Sequence, residues 1–162
     1  MNENLKISDN GIKLIKNFEG CRLQAYKCPA GVWTIGYGHT GQEVKENMRI
    51  TQEQAEKYLK TDLIVHCNNV LKLVTVPLTQ NQFDSLVSLE YNIGYYNLKG
   101  STLLKLLNKK NYKGAGERFL LVNNSAKTKE DKYRGSFVFD NRKKVLEGLV
   151  KRRNAEKELF LK

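Results

Sequence analysis

The chain has 162 residues, 40% hydrophobic and 28% charged, with 28 Lys and Arg against 17 Asp and Glu and a formal net charge of +11. That is enough for one compact domain or two small lobes sharing a helix, and the composition excludes disorder of the whole chain. A chain this basic is drawn to polyanions such as nucleic acid, anionic lipid or an anionic wall polymer, with charge for solubility alone as the other reading.

The first residues, MNENLKISDNGIKLIKNF, hold no apolar run of the kind a secretory signal needs. No stretch approaches the roughly 18 apolar residues of a membrane span. A protein made in the cytosol, without a transmembrane segment, is therefore expected. Three cysteines do not make a disulfide framework, and one must stay unpaired in a monomer. With no CxxC pair, neither a structural zinc ion nor another cofactor is expected.

In chain order, Ser8, Asp9 and Asn10 can each cap a helix. Ile12, Leu14, Ile15 and Phe18 then recur at helical spacing on a short helix ending near Glu19–Gly20. From Arg22 to Ile50 the helical period is lost, and glycines punctuate short runs of β-type composition, which predicts two or three short strands in hairpins. Thr51 and Gln54 form a capping box ahead of Ala55, Leu59, Leu63, Cys67, Val70 and Val74, one helix over about 51–74 with a buried, inert Cys67 thiol. Thr79 and Gln82 repeat the box before Phe83, Leu86, Val87 and Tyr91, the central helix of a second, helical part. Ser101 caps a Leu-rich helix, Tyr112 to Leu121 predicts another, and Ser136–Asp140 alternates with Phe137 and Phe139 on one side. The last helix is expected from about Lys143 to Leu161, with Leu146, Leu149, Val150, Leu159 and Phe160 as its apolar set.

The stretch Phe18–Thr40 is the one that looks built for chemistry. Glu19 is a candidate general acid, because apolar surroundings disfavour a charged carboxylate. The Thr34 hydroxyl can orient a water, and Cys28 can act as thiolate, hydrogen-bonding partner or half of a disulfide. Tyr26, Trp33 and Tyr37 among glycines suit a cleft for an extended polar substrate such as a sugar. A solvated rim Glu at a helix end is the plainer alternative.

Phe18-Glu19-Gly20, Arg22-Leu23, Ala25-Tyr26 and Thr34-Ile35-Gly36-Tyr37-Gly38-His39-Thr40 resemble the active-site region of the bacteriophage-type lysozymes, the endolysins of glycoside hydrolase family 24. Thr51 to Asp62, Tyr91-Asn92-Ile93-Gly94, Ser101 to Leu104, Asn108 to Ala115 and Gly148 to Glu156 continue the resemblance, in order, over almost the whole chain. It implies an α+β, mostly α, lysozyme-like fold in one domain over 1–162. A mixed lobe over about 12–60 and a helical lobe over about 75–162 would be joined by the 51–74 helix. The family pattern is Glu, eight residues, Asp, five residues, Thr. Glu19 and Thr34 match it, and Cys28 stands where Asp is usual, as in some phage endolysins that also carry Cys where Cys21 stands.

The resemblance implies hydrolysis of the β-1,4 bond between N-acetylmuramic acid and N-acetylglucosamine in peptidoglycan, with inversion, no metal and no cofactor. Glu19 would act as acid, and Thr34 with Cys28 would hold the water. The Glu19 charge would raise the Cys28 pKa and leave the thiol mostly protonated. Tyr37, Thr40 and Tyr91 would border the sugars, His39 would pair with Asp62, and Arg152 or Arg153 would approach Glu19. A Cys21–Cys28 disulfide would block the site, as a redox lock. The segment Ala126–Lys143 reads as an insertion in place of a short Gly-rich turn. A monomer is expected, released to the wall by a separate holin-type protein, and no nucleic-acid motif accompanies the charge. A catalytically inactive, cationic wall- or membrane-binding protein of the same fold is the alternative.

Overall fold

The computed structural model describes residues 2–162. Ser8 opens helix α1 (Asp9–Glu19) by accepting from the Gly11 N–H. Ser8 is itself tied to the core: its N–H donates to Asp84 Oδ1 at 3.0 Å and its hydroxyl to Asp84 Oδ2. Asp84 is fully buried, so these bonds, with one from Gln80 Nε2 at 2.8 Å, satisfy a carboxylate that water cannot reach.

Strand β1 (Arg22–Lys27) turns back into β2 (Trp33–Gly36) through Pro29, Ala30 and Gly31. The Cys28 carbonyl accepts from Gly31 N–H at 2.8 Å, and Gly31 takes φ 78. Pro at the second turn position and Gly in the left-handed region are the residues such a reversal needs. Of the two or three short strands expected, two form, paired in one two-stranded sheet. The rest of the segment attaches by single bridges, Gln24 to Arg49 and Ile35 to His39. Gly36 and Gly38, at φ 64 and 94, bend the chain out of the pleat before a further strand can form.

Helix α2 (Gln52–Leu73) follows its Thr51–Gln54 capping box as expected and is 22 residues long, about 33 Å at 1.5 Å per residue. Ala55, Leu59, Leu63, Val70 and Leu73 form its buried stripe. Helix α3 (Gln80–Ile93), opened by the Thr79–Gln82 box, is buried at every position from Phe83 to Glu90. It is the axis of the helical lobe and contacts α1, α2 and the last helix. Around it lie α4 (Tyr95–Gly100), α5 (Thr102–Leu107), α6 (Tyr112–Glu117), α7 (Lys129–Lys132) and α8 (Glu147–Leu161). The result is the mostly helical α+β, two-lobed arrangement expected. Among the described residues no helix is long and apolar enough to cross a membrane.

Two expectations for the C-terminal part are corrected. Helix α8 starts at Glu147 rather than near Lys143, because the Asp140 carboxylate accepts from the N–H of Arg142 and Lys144 and holds a turn with Lys143 at φ 61. Of its expected apolar set Phe160 alone is buried; the other buried residues are Arg152, Arg153 and Glu156, and Leu146 is exposed. In the preceding segment Ser136 and Val138 point inward, while Phe137 and Phe139 are half-buried.

Gly11 marks a close contact between α1 and α3. A Cβ there would lie 2.7 Å from Ile7 Cγ1 and 2.8 Å from Asp84 Cγ. Helix propensity alone favours Ala over Gly by about 1 kcal/mol, yet Gly11→Ala is expected to destabilise by roughly 1–3 kcal/mol through overpacking. Denaturant unfolding of the variant checks the sign.

Candidate active site

Glu19 is the last residue of α1, which closes at Gly20 with φ 67. Its carboxylate meets a guanidinium: Arg152 Nη1 donates to Glu19 Oε1 at 2.5 Å. The surroundings are thus polar on this side, not the apolar wall expected. Arg152 is 2% exposed and fully committed: Nη2 donates to the Ser88 carbonyl at 3.0 Å and Nε to Glu156 Oε1 at 3.1 Å. The same Glu156 oxygen accepts from Ser88 Oγ at 2.7 Å.

Arg153 does not reach Glu19. Its Nη2 donates to Asn92 Oδ1 at 2.9 Å, and its Nε lies 2.9 Å from Glu156 Oε2. That last contact is an ion pair without hydrogen-bond alignment, which leaves Arg153 Nε and Glu156 Oε2 without a hydrogen-bonding partner. Burial pushes the Glu156 carboxyl up, against the pull of both guanidiniums, and pushes Arg153 down to about 10.

Glu19 opens onto a cleft of about 390 Å³ that is also lined by Thr40, Asp62, His66, Tyr91 and Asn92. Tyr91 spans the lobes: its hydroxyl donates to the Tyr37 carbonyl at 2.7 Å. Burial, then the nearby Glu19 and Asp62 charges, raise its pKa, so the phenol keeps its proton. Tyr37 contributes only backbone here. Its side chain is buried, and its hydroxyl accepts from Gln52 Nε2 at 2.8 Å, so the expected sugar contact by Tyr37 is corrected to a core position. His66 was not singled out from sequence, and Asn92 entered only as part of the Tyr91–Gly94 motif, with no role given to it. The packing of α2 against α3 brings both to the cleft.

Cys28 and Thr34 stand on the hairpin and do not line this cavity. Thr34 pairs with Tyr26, two residues before Cys28, so Thr34 and Cys28 share one face of the sheet. Thr34 is buried and its hydroxyl donates to the Val32 carbonyl at 3.0 Å, leaving the oxygen's lone pairs to accept. The Cys28 pKa is lowered by backbone groups of Val32 and Ala30, each of which outweighs desolvation, and more weakly by Thr34. This reverses the expected upward shift from Glu19, because turn backbone, not a carboxylate, surrounds the sulfur.

Cys21 and Cys28 are free and flank β1 at its two ends. Six extended residues separate their ends by about 20 Å at roughly 3.3 Å per residue, whereas a disulfide needs Cα atoms within about 7 Å. The expected lock would require β1 to unravel, so this fold corrects it.

His39 is held from both sides: Nδ1 pairs with Asp62 at 2.9 Å, as expected, and Nε2 with Glu43 at 2.9 Å, while the ring stacks on Tyr58 at 4.2 Å. Burial lowers its pKa, but the hydrogen bonds and charges of Glu43 and Asp62 outweigh burial and leave it raised.

An acid at the end of a helix, a small hairpin and a helical lobe closing one cleft define a lysozyme-type fold. The chain belongs to the phage lysozyme family, which matches it over residues 16–156. The endolysin of Acyrthosiphon pisum secondary endosymbiont phage 1 is 44% identical over 156 residues, 96% of this chain and 98% of that protein. The muramidase domain of SpmX from Asticaccaulis excentricus is 38% identical with a TM-score of 0.79, covering 98% of this chain and 99% of that one. A variant of P22 lysozyme is 40% identical with a TM-score of 0.76, again covering 98% and 99%.

Two measurements follow from these environments. Iodoacetamide at neutral pH should label Cys28 well before Cys67, whose thiol burial pushes up; peptide mapping reads the order. The raised His39 pKa means that its protonated form is favoured by folding. Its contribution is fully present below the ordinary value of 6.5 and is lost as pH rises through the raised one. The stability gap between the protein and its His39→Gln variant should therefore shrink as pH is taken upward from 6.5, followed by denaturant titration.

Proposed function

We infer that the protein is a muramidase endolysin, a glycoside hydrolase that cleaves the β-1,4 bond between N-acetylmuramic acid and N-acetylglucosamine in peptidoglycan and so lyses the host cell. Its membership of the phage lysozyme family and its likeness to an endolysin along nearly its whole length support this. The observation that carries the reading is Glu19 itself: a carboxylate at the edge of the cleft, aimed by a buried guanidinium, with the hairpin's Cys28 and Thr34 following at the family's spacing.

In this reading Glu19 gives its proton to the glycosidic oxygen as the bond to the anomeric carbon breaks. A water on the opposite face attacks that carbon. Thr34 Oγ1, its own hydrogen spent on Val32, accepts one hydrogen of the water, and the Cys28 thiolate takes the other as a proton. The product is inverted, as expected when a water stands between the sugar and the second group. The downward shift of the Cys28 pKa, set by the turn backbone, favours the thiolate and supports this base role. Thr40 and Tyr91 border the sugars, and Arg152 orients Glu19. The enzyme acts as a monomer on the wall, after a holin-type protein has opened the membrane.

Reduced protein added to purified peptidoglycan should lower turbidity and release reducing ends. Glu19→Gln should lose activity by about 10²- to 10⁴-fold, the usual worth of a general acid. Cys28→Asp should stay active and Cys28→Ala should lose most of its rate. Full activity in the alanine variant would remove the thiol from the mechanism, and binding without reducing ends would leave only an inactive wall-binding protein.

A further inference from the structure

Glu90 of α3 is 1% exposed, yet no Lys or Arg among the described residues pairs with it. Its two oxygens meet His66 Nδ1 and, at 2.7 Å, Asn69 Nδ2, both from α2. Packing of α2 on α3 needs no carboxylate, and one placed in the core costs free energy unless its partners are well arranged. What the pair does is fix the His66 ring. A carboxylate only accepts, so an imidazole proton sits on Nδ1, and with that proton alone the ring presents its Nε2 lone pair. With Nδ1 turned inward and the side chain 26% exposed in the cleft wall, Nε2 faces the cleft that Glu19 borders. The Tyr91 ring, 4.6 Å away at 56°, braces the imidazole, and Tyr91 is pinned in turn to the Tyr37 carbonyl.

We propose that His66, oriented by Glu90, is a substrate-binding residue whose Nε2 accepts a hydrogen bond from a saccharide, from a hydroxyl or acetamido N–H of the bound glycan. The proposal rests on the muramidase reading. The wall around this position is otherwise rich in acceptors already spoken for: Asp62 is held by His39, and the Asn92 carbonyl by Arg153. Among the described residues no protein group donates to Nε2, which is left free to accept. It lies on the α2 side of the cleft, away from the hairpin that carries Thr34 and Cys28, and so it contacts a sugar without taking part in bond cleavage.

The imidazole's geometry allows its two nitrogens to be tested separately. In His66→Asn the amide nitrogen stands where Nδ1 stood and still donates to Glu90, while nothing replaces Nε2. In His66→Gln the amide reaches the Nε2 position, and Glu90 loses its donor. Binding of soluble, peptide-free glycan strands of alternating N-acetylmuramic acid and N-acetylglucosamine is measured by calorimetry in a Glu19→Gln background, where nothing is cleaved. His66→Asn should weaken Kd about fivefold, the worth of one net hydrogen bond, with Tm unchanged. In the active protein it should raise KM with kcat unchanged, the mark of an interaction made equally before and during reaction. His66→Gln should keep Kd near that of the parent and lower Tm. An unchanged Kd in His66→Asn would overturn the proposal, as would an effect seen only on strands carrying stem peptides. Strands that bind through His66 in a protein releasing no reducing ends would instead refute the muramidase reading and leave the binding assignment standing.

Discussion

Glu156 carries a formal charge into the interior at full burial, where an unpaired carboxylate would cost of the order of several kcal/mol. Two guanidiniums from its own helix, one three and one four positions back, make that burial tolerable. Each then projects away from the knot, Arg152 to Glu19 and Arg153 to Asn92. The backbone and hydroxyl of Ser88 close the arrangement from α3. The helical lobe thereby reaches across and dictates where the end of α1 points. Other features of the cleft depend on this, because α1 leads into the hairpin through Gly20 and Cys21 alone.

Much of the scaffold was legible from the sequence because it is encoded locally. Capping boxes at Thr51 and Thr79 announce α2 and α3, and each is realised. The Ala55–Leu63 stripe identifies the buried face of α2. Helix α8 shows the opposite case. Its Leu, Val and Phe residues suggested an apolar face, but apart from Phe160 the buried face is made of Arg152, Arg153 and Glu156. Helical periodicity assigns charged side chains to solvent by default, and only a partner far away in sequence, such as Ser88 or Glu19, can reverse that. The Asp140 turn and the short α7 were hidden for a similar reason, since their polar residues read equally as loop or helix.

The candidate site divides along the same line. Glu19 and Thr34 were suggested by residue type and spacing within one short stretch, and of these Glu19 lies on the cleft; the His39–Asp62 pair was expected from the resemblance and is formed. Tyr37 was misplaced because an aromatic residue among glycines looks like a sugar platform, whereas its ring is needed to fill the junction between α1 and α2. For Cys28 the sequence suggested the neighbouring acid as the dominant influence. The turn that places Gly31 in the left-handed region instead brings backbone donors to the sulfur. Cys21 and Cys28, seven positions apart, looked like the ends of a closable loop, but the six residues between them are spent on an extended strand.

The two-stranded sheet has a further consequence. A sheet of two strands is marginal on its own, whereas α3 lies at the centre of the core. The proposed acid is anchored to the robust body through Arg152, and the proposed water site rides on the frailer hairpin. Fraying of β1 from β2 would separate them while the helices stay folded. Inactivation by heat and global unfolding are therefore distinct events in this molecule, with the hairpin's own opening equilibrium setting how long an intact fold remains a working one.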